Sequence, residues 1–321
     1  MNPQAFQRDL ERKPEVLRDL ARPEGVGEAW PRVPARKIVM IGMGSSRYAA
    51  GVVATRMRAD GLDAVAEYAS LETGSPPGDG VLAIGISASG GTEETIGALA
   101  RHRGASDTVA LTNRSGSAIQ RAGDSVVSML AGDEEGGVAC RSFQHTLALL
   151  LALEASTIGD AGVDVASMVR RAADASEDLL ERRDAWLPAA ADLLAEGLAT
   201  FTIAPAERLS SAEQAALMLR EGPRRTADAC EAGDWLHVDV YLTKPLEYRA
   251  LLFAGSRSDP AILDWMRERG SRVVAVGREV EGADRTVRYR HDDDPEVALL
   301  AEVLVAELVA ARWWLAQDAQ A

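Results

Sequence analysis

Residues 81–95 read VLAIGISASGGTEET, and the fold is decided there. The run from Val81 to Ile86 is apolar on both faces of an extended chain, which suits a buried parallel strand. A hydroxyl-rich turn follows, Ser87-Ala88-Ser89-Gly90-Gly91-Thr92, and an amphipathic helix opens at Glu93. A strand feeding such a turn at a helix N-terminus has the parts to hold a phosphate. Backbone N–H groups and the helix dipole offer fixed donors, and Ser87, Ser89 and Thr92 add hydroxyls. No Lys or Arg stands in the turn, so an anion there would be held by hydrogen bonds rather than by a cation. The alternative is an ordinary Ser/Thr cap on an α/β helix.

Working outward, the strand Lys37-Ile38-Val39-Met40-Ile41 also ends in a Gly/Ser turn, Gly42-Met43-Gly44-Ser45-Ser46, followed by a small-residue helix over 47–58. Two such turns at the carboxyl ends of neighbouring strands would face one crevice. Further strands are expected over 64–68, 108–112 and 125–129. An acidic, glycine-rich loop over 131–137 leads through Val138-Ala139-Cys140-Arg141 into an apolar helix. The second half repeats the order, with strands over 200–203, 226–230, 251–254, 273–276 and 286–289 and helices over 210–221, 261–269 and 295–315. The fold class is therefore α/β: two doubly wound parallel-sheet subdomains related by an internal repeat, with an N-terminal helical arm. The boundaries are an arm over 1–34, a phosphate-binding subdomain over 35–160, a helical bridge over 161–196 with Pro188 at a junction, and a second subdomain over 197–321. Gly255-Ser256-Arg257-Ser258-Asp259 stands where the opening turn stands, but it has lost the hydroxyl spacing and gained Asp259, so only the first half keeps a cradle.

Composition narrows the function classes. The chain has 321 residues, 47% hydrophobic, and a formal net charge of −14, which argues against nucleic-acid or anionic-membrane partners. No run approaches the roughly 18 apolar residues of a membrane span, and the two cysteines, Cys140 and Cys230, lack metal or redox spacing. A cytoplasmic protein without cofactor or metal is expected. The acidic run Asp292-Asp293-Asp294 before Pro295 reads as a helix start rather than a metal site, and His102 and His291 read as surface residues.

In order and spacing, Gly42-Met43-Gly44-Ser45-Ser46, Ser87-Ala88-Ser89-Gly90-Gly91-Thr92 and Glu135-Gly136-Gly137-Val138-Ala139-Cys140 resemble sugar isomerase (SIS) domains. The two-half arrangement resembles the isomerase part of glucosamine-6-phosphate synthase, the aminosugar-phosphate deaminase/isomerases and the fructosamine-6-phosphate deglycases. The resemblance implies a phosphorylated hexose or hexosamine as ligand, a homodimer, and phosphate binding by Gly44, Ser45, Ser46, Ser87, Ala88, Ser89, Gly90 and Thr92. It adds Val138, Cys140 and Arg141 as further substrate contacts. Residues 216–221, ALMLRE, are similar to the family segment ALKLKE, whose last Glu moves a proton between C1 and C2; Glu221 matches it. Residues 232–237, AGDWLH, are similar to AGELKH, whose His opens the sugar ring; His237 matches it. Aldose–ketose isomerisation needs such a pair, a carboxylate to carry a carbon-bound proton and an acid/base for ring opening.

The departures matter as much. Met218 stands where the synthase has a lysine, Gly222-Pro223-Arg224-Arg225 replaces an apolar continuation, and no counterpart of the synthase's glutaminase domain or lysine-bearing tail is expected. A Schiff base is therefore not expected, and Arg47, Arg141 or Arg220 would supply positive charge instead. The expected function is phosphosugar isomerisation or aminosugar-phosphate deamination/isomerisation. The alternatives are a non-catalytic phosphosugar-binding regulator and a subunit receiving ammonia from a separate partner. The apolar helix ending at Trp313-Trp314 is the expected dimer contact.

Overall fold

The computed structural model describes residues 1–159 and 164–320. The chain forms two compact units. One comprises Val16–Asp133 and Arg141–Val169; the other comprises Met1–Glu15, Glu134–Cys140 and Arg170–Ala321. The N-terminal arm thus divides at residue 15, its start joining the unit that holds the later strands. Helices α1 (Pro3–Glu11) and α2 (Lys13–Leu20) make up this arm, and Pro14 falls in the first turn of α2, where a missing N–H costs nothing.

In the first unit the elements run β1 (Lys37–Gly42), α3 (Gly44–Ala59), β2 (Asp63–Tyr68), β3 (Val81–Ile86), α4 (Glu93–Ala100), β4 (Asp107–Thr112), β5 (Ser125–Ser128) and α5 (Arg141–Ile158). The sheet is parallel throughout, in the order β2-β1-β3-β4-β5. Strands β1, β3 and β4 are buried almost end to end, as a sheet covered on both faces requires. Helix α5 is buried from Arg141 to Glu154.

Helices α6 (Val165–Glu181) and α7 (Arg183–Ala195) lead to β6 (Thr200–Ala204), α8 (Leu209–Glu221), β7 (Ala227–Glu231), α9 (Ala232–Trp235), β8 (Arg249–Phe253), α10 (Asp259–Glu268), β9 (Arg272–Val276), β10 (Arg285–Val287), α11 (Pro295–Ala301) and α12 (Leu304–Asp318). The second sheet, also parallel, has the order β10-β9-β8-β6-β7. Counted from its own first strand, that is the order of the first sheet. Its core is organised on Tyr248, whose ring stacks on Phe201 at 4.1 Å while its hydroxyl accepts the Trp235 indole N–H at 2.9 Å.

Several expectations need correction. Pro188 lies inside α7; the junction falls at Arg182, whose guanidinium is drawn to Asp178 at 2.6 Å and to the Arg288 carbonyl, while Trp186 donates across the break to the Leu179 carbonyl. The helix expected over 295–315 is two helices. It breaks at Glu302, a buried carboxylate turned onto the Arg208 guanidinium at 3.0 Å, and a tight Val305 N–H bond to the Glu302 carbonyl closes the kink. His102 is buried beside Ser106, and burial lowers its pKa. Asp294 does start α11, accepting the N–H groups of Glu296 and Val297.

Lys13 and Glu307 form an ion pair with both side chains fully buried. Losing one partner strands the other charge. Lys13→Met is therefore expected to cost about 3–5 kcal/mol of stability in chemical denaturation, and adding Glu307→Leu to recover most of it. A Lys13→Met protein as stable as the parent would contradict this.

Candidate functional site

Strands β1 and β3 pair with Gly42 opposite Ile86, so the two Gly/Ser turns emerge side by side. They do so where the strand order reverses direction, the position at which open α/β sheets take ligands. At the end of β1 the backbone presses against the first turn of α3: a Cβ on Gly42 would meet the Ser46 Cβ at 2.9 Å. Gly44 has φ +49°, and Ser45 and Ser46, both half-buried, follow in that first helical turn.

The turn after β3 is tighter. Ser87 is buried, and its hydroxyl accepts the Gly90 N–H at 3.1 Å and lies 3.0 Å from Thr92 Oγ1 and 3.5 Å from Ser89 Oγ. Three hydroxyls therefore converge. Gly91 N–H donates to Ser89 Oγ at 3.3 Å. Thr92 holds the N-cap position of α4 but makes no side-chain cap bond, so the ordinary-cap alternative does not describe it. Its hydroxyl turns to Ser87, which leaves the first N–H groups of α4 uncapped by that side chain, at the positive end of the helix dipole.

Gly90 explains how the turn closes. Its φ is +63°, and a Cβ there would lie 2.1 Å from Ser117 Oγ and 2.8 Å from Thr112 Oγ1. Ser117, itself fixed by a 2.8 Å bond to the Arg114 carbonyl, fills that space, and the Ala88 carbonyl accepts the Asn113 N–H at 3.2 Å. Asn113 also receives the Ala131 N–H at 3.0 Å and donates to the Gly132 carbonyl at 2.7 Å. These backing residues were not singled out from sequence; the polar run 113–117 at the end of β4 was the available signal.

Two of the three expected sources of positive charge are engaged, and the third, Arg220, is exposed. The Arg47 guanidinium lies 4.5 Å from the Tyr68 ring, and Arg141, fully buried, donates to the Asp133 carbonyl. Asp133 pairs with Arg114 at 3.0 Å.

In the second unit, Val138 and Cys140 are buried, and burial next to the Glu134 carboxylate pushes the Cys140 thiol far up, which rules it out as a ready nucleophile. The segment 134–140 is held by Asp9, which accepts the Gly136 N–H at 2.7 Å, by Glu134, which accepts the Cys140 N–H at 2.7 Å, and by Gln214, which donates to the Ala139 carbonyl at 2.8 Å. Glu221 ends α8, half-buried, and burial raises its carboxyl above the usual range despite Arg220 beside it. His237 is exposed just past α9, whose first turn is capped by Glu231. The turn after β8 is occupied by the chain itself: Gly255 N–H donates to Asp259 Oδ2 at 2.6 Å. Among the described residues no cluster of three or more His, Cys, Asp or Glu could hold a metal ion, and no helix is long and apolar enough to cross a membrane.

Residues 33–156 match the model of the SIS domain. This stretch is a SIS domain. The chain is also homologous to a glutamine–fructose-6-phosphate aminotransferase (isomerizing) of Pyrobaculum aerophilum, at 30% identity over 219 residues, 65% of this chain and 36% of that protein. It thus spans little more than a third of that curated relative's length. Among solved structures, the C-terminal domain of the Francisella tularensis glucosamine-fructose-6-phosphate aminotransferase superposes with TM-score 0.82 at 16% identity, covering 97% of this chain and 96% of that one. A glucosamine-6-phosphate deaminase of Thermotoga maritima gives 0.73 at 16% identity, covering 98% and 95%. At these identities the structural likenesses establish the fold.

Gly90→Ala should disable the SIS turn. It adds roughly 1–2 kcal/mol of left-handed strain to a clash with Ser117, so the expected result is reduced stability by thermal unfolding. Wild-type stability in this variant would contradict the geometry described.

Proposed function

We propose that the chain is a phosphosugar isomerase or aminosugar-phosphate deaminase/isomerase acting on a hexose or hexosamine 6-phosphate. The observation that carries this reading is the convergence of Ser87, Ser89 and Thr92 at the sheet's switch point, with the Thr92 hydroxyl unspent on its own helix. The phosphate binds at Gly44, Ser45, Ser46, Ser87, Ala88, Ser89, Gly90 and Thr92, through hydroxyls and backbone donors. Glu221 takes the proton from one of C1 and C2. The C–H electrons form the enediol double bond as the carbonyl oxygen takes a proton from water; the carboxyl then returns its proton to the neighbouring carbon while the hydroxyl on the first carbon gives its proton back to water and becomes the new carbonyl. His237 moves a proton between the anomeric hydroxyl and the ring oxygen to open the ring. A raised carboxyl pKa suits Glu221, because a base nearer neutrality gives and takes the same proton with less loss.

The proposal includes a cytoplasmic homodimer: both cysteines are free thiols, and Val238 and Tyr241, beside His237, expose apolar surface that a second copy would cover. A non-catalytic phosphosugar-binding regulator is the second reading. It is favoured by the lysines: Lys13 is buried against Glu307, Lys37 begins β1 at the end away from the turn, and Lys244 lies 5.8 Å from the Tyr241 ring.

Exchange of the C2 proton into solvent across a panel of hexose and hexosamine 6-phosphates separates the two. Glu221-dependent exchange is expected, lost in Glu221→Gln, with an acid limb lying above the range of an ordinary glutamate because the carboxylate forms only as pH passes its raised pKa. Ligands that bind without such exchange would leave the regulator. The double variant Ser89→Ala/Thr92→Ala should weaken phosphosugar binding by about 1.5–3 kcal/mol per lost contact; unchanged affinity would remove the cradle.

A further inference from the structure

Gly222, Pro223 and Arg225, among the four residues after Glu221, each have a fixed partner. Gly222 N–H donates to the Met218 carbonyl at 3.1 Å, and a Cβ on Gly222 would meet the Trp314 ring at 3.1 Å. The Pro223 carbonyl accepts Gln317 Nε2 at 3.0 Å. Arg224 reverses the chain at φ +53°, a left-handed conformation that costs a non-glycine residue energy and persists only where its surroundings impose it.

Arg225 imposes it. Its N–H donates to the Leu219 carbonyl at 2.9 Å, satisfying one of the carbonyls that the end of α8 leaves open. Its guanidinium donates to the Ala195 and Gly197 carbonyls at 2.8 and 3.1 Å, at the negative end of α7, and lies 4.5 Å from the Trp313 ring of α12. One residue thus joins the end of α8, through its backbone, to the end of α7 and to α12, through its side chain. The residue it immobilises by this route is Glu221, three positions before the strained Arg224.

We propose that Arg225 is the positioning residue for Glu221: clamped between the α7 carbonyls and Trp313, it fixes the turn that holds the carboxylate half-buried and aimed. This deepens the proposed function and rests on Glu221 being the base. One guanidinium nitrogen, Nη2, makes both carbonyl bonds, so what a lysine ammonium at this position gives up is the planar face that stacks on the indole.

The test is Arg225→Lys, which keeps the charge, with Gln317→Ala as a milder variant should the first fail to fold. The carboxyl of Glu221 is followed by 13C NMR titration, its signal assigned by its loss in Glu221→Gln, alongside the kinetics of C2-proton exchange. The expected result is a Glu221 titration that moves down toward an ordinary glutamate, with kcat reduced about 10- to 100-fold and KM for the sugar phosphate unchanged within about twofold, as displacement of a reacting group would give. An unmoved Glu221 titration in the folded variant overturns the proposal whether or not the chain catalyses exchange. A moved titration in a chain whose exchange does not need Glu221 upholds the positioning and removes the base assignment, so the two failures are distinct.

Discussion

The Gly90 N–H and the Ser87 hydroxyl meet at 3.1 Å, and the site of the first unit depends on that bond. It can form only because residue 90 takes φ +63° with no side chain, letting the backbone close against Ser117 and Thr112. Once closed, the turn brings the hydroxyls of Ser87, Ser89 and Thr92 together and turns Thr92 away from capping α4. A turn one residue longer, or one with a Cβ at position 90, would return Thr92 to the ordinary role of an N-cap. The proposed anion site would thus follow from one close approach rather than from any cation.

The same constraint explains the contrast between the two sheets. Both have one strand order and both place a glycine-containing turn after the third strand of that order. After β8, however, Asp259 supplies a carboxylate that takes the Gly255 N–H, and burial pushes its carboxyl up. An acidic side chain there meets the donors from inside. In a chain of net charge −14, the proposed anion would sit where the turn's own side chains, Ser87, Ser89 and Thr92, are neutral donors.

Much of this was legible in the sequence, for identifiable reasons. Strands β1, β3 and β8 are mostly apolar runs, and Gly/Ser punctuation marks their ends, so the α/β class and the places of the turns could be read directly. The breaks in the long helices could not. The break at Arg182 depends on Asp178 and the Arg288 carbonyl, and the kink at Glu302 on Arg208, which is 94 residues away in sequence. Pro188 misled because an internal proline weakens a helix without always ending it. The residues that back the cradle, Asn113 and Ser117, and the clamp at Arg225 were likewise invisible. Each acts on a partner distant in sequence, and an exposed polar turn carries no periodic signal.

The central claim is that the turn after β3 holds a phosphate with neutral donors. Backbone 15N–1H shift mapping tests it most directly, with the protein titrated in parallel with glucosamine 6-phosphate and with unphosphorylated glucosamine. The account predicts saturable shifts of the amides of Ser89, Gly91, Glu93 and Glu94 with the phosphorylated sugar and none with the unphosphorylated one. Shifts confined to other parts of the chain, or equal for the two sugars, would contradict it.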